Sequence, residues 1–247
     1  MEKTPEQRIA QLEAELAAQR AEMKDFTYTV SHDLRASLRH ILSYAHLVQE
    51  DAGPQLSDEV QGFVATITDS ARHMGVLMDG LMELSRLGTV EVNWGPVDLQ
   101  QLVQEAVATV QDKPSARAID WQIGTGLPIV QGDPALLRQA LGHVLDNAVK
   151  FTQPVDLPRI SIDMGPEHGD KANHVVLEIR DNGVGYNPAL QAKLFHAFQR
   201  LHSVKQFPGI GMGLALTRKI IERQGGTVNA QGVVDGGCVI TVLFSLS

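Results

Sequence analysis

The sequence predicts two structural parts, a long α-helical hairpin followed by a mixed α/β domain. Up to about residue 87 the apolar residues follow a helical period, whereas after about residue 97 short alternating segments and glycine-rich turns replace that pattern. Between the two parts, from Gly88 to Pro96, the periodicity stops, which indicates a linker. A chain of 247 residues is comfortably long enough for two domains.

The composition excludes several classes of protein. Cys238 is the only cysteine, which excludes an internal disulfide framework and a zinc cluster and leads us to expect a cytoplasmic protein. The net charge of −8 argues against a nucleic-acid partner, because phosphate binding needs a basic surface. No stretch of the sequence is long and apolar enough to predict a transmembrane segment.

The first predicted helix covers residues from about 6 to 50. Its apolar residues are separated by steps of three, four and seven, as in a coiled-coil seam: Ile9, Leu12, Leu16, Met23, Phe26, Val30, Leu34, Leu38 and Ile41. We interpret residues 1–24 as a coiled-coil linker from an upstream sensor domain that is not in this chain. A lone amphipathic helix packed on a globular core is the alternative.

A second helix is predicted after a short loop that contains Gly53 and Pro54, with Ser57 as its N-cap. Its apolar residues again repeat with a helical period: Val60, Phe63, Ile67, Met74, Leu77, Leu81 and Leu84. A hairpin with one apolar face cannot bury that face alone, whereas two hairpins can form a four-helix bundle. The sequence therefore predicts a homodimer.

The rest of the chain predicts a mixed α/β domain. One helix is capped by Asp98, a second runs from about residue 134 to 152, and a third runs from about 212 to 224. The predicted strands are, in order, IDWQI, PIVQ, RISIDM, HVVLEIRD, GTVNAQ and CVITVLFSL. We expect most of these strands to pair as hairpins.

Two glycine-rich segments lie next to elements of this domain. DNGVGYNP directly follows a strand, and GIGMGLALTRK directly precedes a helix. Their candidate ligand-binding residues are Asp181, Gly183, Gly185, Gly209, Gly211 and Gly213. Glycines let the backbone approach a phosphate closely, and a helix N-terminus offers N–H groups to an anion. Taken singly, each segment is better explained by an ordinary glycine turn.

A polar stripe runs along the helix predicted for residues 134–152. His143, Asn147 and Lys150 are spaced four and three residues apart and therefore share one helix face. An amide oxygen can ligate Mg²⁺, and an ammonium group can contact a phosphate. A solvated helix face is the alternative. A different, apolar face of this helix is formed by Leu137, Leu141, Val144, Ala148 and Phe151.

His32 is the candidate reactive residue of the first helix. It lies about 200° around the helix from Val30, so its side chain points away from the apolar face. An unreactive surface histidine is the alternative. The adjacent Asp33 can hold one ring nitrogen and fix the tautomer, which leaves the other nitrogen as a nucleophile.

Five segments together resemble the core of a sensor histidine kinase of two-component systems. SHDLRASL resembles the phosphoacceptor box, LDNAVKFT the asparagine box, DNGVGYNP the first glycine box, LFHAFQRL the phenylalanine box and GIGMGLALTRKIIERQGG the second glycine box. They occur in the family's order and cover the chain from about Asp25 to its end. Within the family, FTYTVSHDLR is most similar to kinases attached to phytochromes and PAS-domain proteins.

The resemblance implies a dimerisation and histidine phosphotransfer domain over residues 25–88 and a Bergerat-type ATP-binding α/β sandwich over residues 97–247. It implies an autokinase that uses ATP and Mg²⁺ to phosphorylate His32, with Asp33 as orienting residue and general base. The phosphoryl group would then pass to an aspartate in the receiver domain of a response regulator.

The resemblance also implies roles in the ATP site. Asn147 would ligate Mg²⁺, Lys150 would contact a phosphate, and Asp181 would accept a hydrogen bond from the adenine amino group. The remaining nucleotide-binding residues would be Gly183, Gly185, Gly209, Gly211 and Gly213. A lid from about residue 186 to 210 would be anchored by Phe195 and Phe198.

Three positions depart from the family pattern. Ser37 replaces a proline that would kink the helix, so we expect a straighter helix. Ala36 replaces a threonine or asparagine that positions water, so we expect weak phosphatase activity. His143 replaces the first asparagine of its box. Two alternatives stay open: another ATPase with the same nucleotide fold, and a degenerate, non-catalytic dimeric module that binds a regulator.

Overall fold

The computed structural model describes residues 4–113, 117–166 and 174–245. Residues 1–3 of the predicted coiled-coil segment lie outside the described residues. The chain divides after Val90 into two compact units, which are described separately below. Within the described residues, no helix has the length and hydropathy needed to span a bilayer.

The first unit is the predicted helical hairpin. Helix α1 runs from Pro5–Ala52, a short 3₁₀ turn covers Gly53–Gln55, and helix α2 runs from Asp58–Thr89. As predicted, Ser57 caps α2: its hydroxyl accepts a hydrogen bond from the backbone N–H of Val60. Helix α2 continues slightly beyond Gly88, where the sequence predicted a linker.

Helix α1 passes through the Ser37 position without interruption. The Ser37 hydroxyl donates a hydrogen bond of 3.3 Å to the carbonyl oxygen of Asp33, one turn earlier. Serine keeps the backbone N–H that a proline lacks, so the helix retains its hydrogen bonds here. The helix is consequently continuous over 48 residues.

The two helices of the hairpin pack through a small apolar cluster of Leu38, Leu42, Ala71 and Met78. A second set of apolar residues, which we call the outer stripe, remains exposed on the isolated hairpin. Its members are Met23, Phe26, Val30, Leu34, Ile41 and Val48 on α1, and Val60, Phe63, Ile67, Met74 and Leu81 on α2. The hairpin therefore buries only part of its apolar surface within one chain, as the sequence predicted.

The second unit is a two-layer α/β domain. Its strands are β1 (Gly95–Asp98), β2 (Asp120–Ile123), β3 (Ile129–Gly132), β4 (Arg159–Met164), β5 (His174–Asp181), β6 (Thr227–Val233) and β7 (Gly237–Ser245). Its helices are α3 (Leu99–Gln111), α4 (Pro134–Phe151) and α5 (Gly213–Arg223). All six predicted strands are present, and β1 is an additional strand that begins inside the predicted linker.

The main sheet has the strand order β2-β4-β5-β7-β6. Strands β2 and β4 pair in parallel, and the other neighbours pair antiparallel. Strands β1 and β3 form a separate antiparallel pair. Helix α4 contacts both α3 and α5, and it also contacts β5 at the centre of the sheet. This arrangement places one face of α4 next to the end of β5 that carries Asp181.

The core of the second unit lies between the helices and the sheet. Its most deeply buried side chains include Leu99, Val103, Leu137, Val144, Leu145, Ile160, Ile162, Leu177 and Ile179. The apolar face predicted for α4 is therefore buried over most of its length. Phe151, the last residue of that face, is only partly buried and lines a cavity instead.

Candidate active site

A cavity of about 200 Å³ lies in the second unit, between α4, the ends of β5 and β7, and the segment that precedes α5. Most of the predicted nucleotide-binding residues line it: Asn147, Lys150, Asp181, Gly185, Gly209, Gly211 and Gly213. Gly183 does not line the cavity. Its backbone N–H instead donates a 2.8 Å hydrogen bond to the carboxylate of Asp181. The fold thus brings residues from distant parts of the sequence into one site.

Asp181 is the acidic group of this cavity. Its side chain is only 8% exposed, and it accepts hydrogen bonds from the backbone N–H groups of Gly183 and Cys238. Burial raises the pKa of Asp181 to about 6, although the two hydrogen bonds act in the opposite direction. Near neutral pH the carboxylate is mostly ionised and can accept a hydrogen bond from an amino group of a ligand.

Two glycines are required by the backbone around the cavity. Gly185 has φ +58°, and a Cβ atom there would overlap the carbonyl oxygen of Val233. Gly211 has φ +75°, and a Cβ atom there would overlap the carbonyl oxygen of Gln199. Both positions combine a left-handed backbone with a close approach of a second chain segment, which only glycine satisfies without strain.

Two cations line the same cavity. Burial lowers the pKa of Lys150, and the nearby positive charge of Arg200 lowers it further. The Lys150 Nζ atom lies 4.5 Å from the centre of the Phe151 ring. The Arg200 guanidinium donates hydrogen bonds to the carbonyl oxygens of Gly209 and Phe207. Two adjacent cations that repel each other form a site suited to an anion.

The N-terminus of α5 adds to this anion-binding character. The helix begins at Gly213, and no side chain in the described part of the chain caps its first turn. The first N–H groups of a helix and its dipole both favour a bound anion. The first turn of α5, Lys150 and Arg200 therefore line the same cavity as the carboxylate of Asp181.

Arg200 and an aromatic cluster were missed by the sequence analysis. The cluster consists of Phe151, His202 and Phe207, whose ring centres lie 5.0–5.3 Å apart. The His202 Nε2 atom lies 2.8 Å from the carbonyl oxygen of Gly185, which connects the cluster to the cavity wall. The only available signal was that LFHAFQRL contains a basic residue shortly before the second glycine-rich segment.

The aromatic cluster also changes the prediction for the lid. Phe207 is buried at the cavity, whereas the predicted anchor Phe198 is 39% exposed with φ +62°. The other predicted anchor, Phe195, is partly buried and lies in a different surface groove. In the structure, Phe207 rather than Phe198 therefore packs the segment of residues 186–210 against the cavity.

Asn147 and Lys150 both line the cavity, whereas His143 lies beside Gly213 and is not among the lining residues. Among the described residues, no group of three or more histidine, cysteine, aspartate or glutamate side chains could hold a metal. An amide oxygen beside cations that suit an anion is compatible with Mg²⁺, which keeps several waters and commonly shares phosphate oxygens. These residues thus fit a Mg²⁺ ion that would take most of its ligands from nucleotide phosphates and water rather than from side chains.

His32 lies on the first unit with its side chain 64% exposed. Its Nδ1 atom is 3.2 Å from Oδ1 of Asp33, and the ring of Tyr28 stacks one turn earlier at 6.5 Å between ring centres. Hydrogen bonding of Nδ1–H to the carboxylate favours the tautomer in which Nε2 carries the lone pair. The outward orientation predicted from the helix geometry is confirmed.

Two family models match separate parts of the chain. Residues 22–89 match the His Kinase A (phospho-acceptor) domain. Residues 132–247 match the histidine kinase-, DNA gyrase B- and HSP90-like ATPase. The chain belongs to the histidine kinase family. The resemblance seen in the five sequence segments is thereby confirmed, and an ATP-binding domain follows a phosphoacceptor domain as predicted.

Relatives of this kinase chain include the circadian input-output histidine kinase CikA of Synechococcus elongatus, with 30% identity over 88% of this chain and 29% of the relative. The methanogenesis regulatory histidine kinase FilI of Methanothrix harundinacea is 32% identical over 94% of this chain and 25% of the relative. The phytochrome-like protein Cph1 of Synechocystis is 28% identical over 89% of this chain. The kinase chain thus spans less than a third of the length of these relatives.

Solved structures show the same architecture. Full-length ShkA in complex with AMPPNP has a TM-score of 0.60 and 26% identity, over 90% of this chain and 46% of that chain. The histidine kinase AdeS of Acinetobacter baumannii also has a TM-score of 0.60, but its 18% identity supports the fold alone. The predicted fold class, a helical hairpin followed by an α/β ATPase domain, is confirmed.

Proposed function

We propose that this kinase chain is an ATP-dependent autokinase that phosphorylates His32 and passes the phosphoryl group to an aspartate of a response regulator. The observation that carries the proposal is the exposed His32 imidazole, whose Nδ1 atom is 3.2 Å from the Asp33 carboxylate. That contact prepares Nε2 as a nucleophile, and the anion-binding cavity of the second unit supplies a place for the phosphoryl donor.

The proposed reaction uses Nε2 of His32 as the nucleophile. The Nε2 lone pair attacks the γ-phosphorus of ATP, a P–N bond forms, and the bond from phosphorus to the bridging oxygen of ADP breaks. Asp33 stabilises the positive charge that develops on the imidazole and can take the Nδ1 proton. Catalysis then consists mainly of positioning and of electrostatic stabilisation of the transferred group.

We assign the nucleotide to the cavity with its base towards Asp181 and its phosphates towards Lys150, Arg200 and the N-terminus of α5. The opposite charges at these positions support this orientation. Asn147 would ligate Mg²⁺, which would neutralise charge on the phosphates. Gly209, Gly211 and Gly213 would allow the backbone to approach the phosphates, while Gly185 would shape the wall near the base and the backbone N–H of Gly183 would hold the Asp181 carboxylate.

The outer stripe supports a homodimeric form of the protein. Exposed large apolar residues on both helices of the hairpin form an interface that a second hairpin would bury in a four-helix bundle. We assign the receiver domain of a response regulator as the phosphoryl acceptor and a separate sensor domain as the source of the signal. The single cysteine is consistent with a reducing, cytoplasmic location.

The decisive experiment is incubation of wild-type protein and a His32→Gln variant with γ-labelled ATP and Mg²⁺. We expect acid-labile, base-stable label on the wild type and none on the variant, because glutamine has no nucleophilic ring nitrogen. His40→Gln is the matched control, since His40 is exposed on the same helix. A fluorescent nucleotide should bind equally well to all three proteins.

Two results would contradict this assignment. Undiminished label on His32→Gln would place the phosphorylated residue elsewhere. Wild-type protein that binds nucleotide but never incorporates label, even as a dimer, would favour the non-catalytic signalling module.

A further inference from the structure

Tyr186 contributes a hydroxyl group that the proposed function does not yet use. The residue is 5% exposed and lines the same cavity as Asp181 and Cys238. Its hydroxyl is buried without a hydrogen-bond partner among the residues that the structure describes. Buried polar groups are nearly always paired, so an unpaired one at the wall of a binding cavity points to a ligand as its partner.

The position of the Tyr186 ring is fixed by the sheet. Asp181 on β5 pairs with Cys238 on β7, and Cys238 pairs in turn with Gly232 on β6. Side chains of directly paired residues project from the same face of a sheet. A Cβ atom at Gly232 would overlap the Tyr186 ring, so the ring occupies the space that a side chain would fill.

Asp181, Cys238 and Tyr186 consequently form one row across three strands. Burial raises the pKa of Asp181 to about 6 and the pKa values of Tyr186 and Cys238 to about 12. At neutral pH the row therefore presents a carboxylate, which only accepts hydrogen bonds, and a protonated phenol, which can donate one.

The two ends of this row complement one edge of adenine in their hydrogen-bonding character. That edge carries an amino group, which donates hydrogen bonds, beside ring nitrogen N1, which accepts one. Adjacent strands lie about 4.8 Å apart, so residues on β5 and β6 are separated by about 10 Å across β7. A separation of this size is too long for both groups to contact the base edge directly, but one ordered water between the phenol and the base would bridge it.

We propose that the Tyr186 hydroxyl donates to one ordered water that in turn donates a hydrogen bond to N1 of the bound adenine, while Asp181 accepts from the amino group. This inference rests on the proposed function and deepens it, because it names the residue that distinguishes the base. Gly232 has a positioning role, since it makes room for the aromatic ring.

The experiment measures calorimetric affinities of ADP, 1-deaza-ADP and 7-deaza-ADP for wild-type protein and for Tyr186→Phe. We expect the variant to bind ADP about fivefold to tenfold more weakly, as for one lost hydrogen bond. Wild-type protein should bind 1-deaza-ADP more weakly than ADP by a similar factor, whereas Tyr186→Phe should bind these two ligands equally. Loss of N7 should have the same effect on both proteins.

Tyr44→Phe is the matched control, because Tyr44 is 70% exposed on α1 and should not affect any of the three affinities. The thermal midpoint of unliganded Tyr186→Phe should be no lower than that of wild type, because phenylalanine keeps the ring and removes a buried unpaired hydroxyl. This measurement separates loss of recognition from loss of folding.

The inference is overturned if Tyr186→Phe binds ADP as tightly as wild type, or if the penalty for 1-deaza-ADP persists in the variant. Should the variant fail to fold, equal affinity of wild-type protein for ADP and 1-deaza-ADP would also overturn it. Wild-type protein that binds none of the three nucleotides would refute the proposed ATP site itself, which is a distinguishable result.

Discussion

At the scale of single residues, the burial of Asp181 should make nucleotide affinity depend on pH. Its carboxyl group is nearly enclosed, and burial raises its pKa to about 6 despite two backbone hydrogen bonds. Binding of an amino group that donates to the carboxylate favours the ionised form and lowers the pKa in the complex. Nucleotide affinity must therefore be highest above pH 6 and fall as the pH decreases through that value.

We predict that affinity for ADP decreases by up to about tenfold between pH 7.5 and pH 5, because only about one tenth of a group with pKa 6 is ionised at pH 5. Isothermal titration calorimetry across this range measures the effect. Asp181→Asn should bind more weakly, and its affinity should reflect only the titration of the phosphates. If the ratio of wild-type to variant affinity does not change with pH, the ionised Asp181 does not bind the base.

At the scale of elements, the geometry of helix α1 determines which side chains lie next to His32. Ala36 lies one turn after His32 on nearly the same face, about 40° away, and is partly buried. Its methyl group cannot hold a water molecule by a hydrogen bond. In the proposed function the imidazole is the nucleophile for autophosphorylation, so that reaction does not require a polar group at this position.

We predict net kinase activity with weak phosphatase activity for the wild-type chain, and increased phosphatase activity for Ala36→Thr. The threonine hydroxyl could orient water towards a phosphoaspartate held beside His32. The measurement follows the decay of phosphorylated regulator with ADP and Mg²⁺ present, and autophosphorylation of each protein is the control. Fast decay with wild type, or no effect of threonine, would contradict the prediction.

The glycine-rich segments offer a second test at the scale of elements. Gly185 adopts φ +58° with a carbonyl oxygen where its side chain would lie, whereas Gly142 is helical with open space around it. We predict that Gly185→Ala lowers the free energy of unfolding by at least about 2 kcal/mol. Gly142→Ala, the matched control, should raise it by about 0.5–1 kcal/mol.

Tryptophan fluorescence during denaturant unfolding suits this comparison, because Trp94 and Trp121 both belong to the second unit. The signal therefore reports the ATPase domain separately from the helical hairpin. Equal effects of the two alanine substitutions would show that the left-handed conformation at Gly185 is not needed.

At the scale of the whole molecule, we expect the outer stripe to form the dimer interface. Ile67 belongs to the stripe, and Ala65 is exposed on the same helix but points about 160° away. We predict that Ile67→Glu converts a dimer into a monomer of 26.9 kDa, because burying two unpaired carboxylates in the bundle is unfavourable. Ala65→Glu should leave the dimer intact. Light scattering coupled to size-exclusion chromatography measures both masses.

Nucleotide binding to the second unit should be unchanged in Ile67→Glu, which would show that the ATPase domain remains folded. A dimer that persists in this variant would mean that chains associate through a surface other than the outer stripe.

The sequence by itself determined the elements and their order. The hairpin follows from a helical period and from the Ser57 cap, and the strands follow from short alternating segments, all of which are local properties. The outward placement of His32 also followed from helix geometry alone. The candidate residues for contacting the adenine base and the phosphates, such as Asp181 and Lys150, were also identifiable, because each lies in a recognisable local segment.

Only the tertiary structure decided how these residues meet. Three features join residues that are far apart in sequence. They are the proximity of the Lys150 and Arg200 cations, the aromatic cluster around Phe207, and the placement of the Tyr186 ring over Gly232. The raised pKa of Asp181 likewise depends on what surrounds it. Local periodicity contains no information about strand order or about which side chains share a cavity, because those depend on long-range packing that only the complete fold establishes.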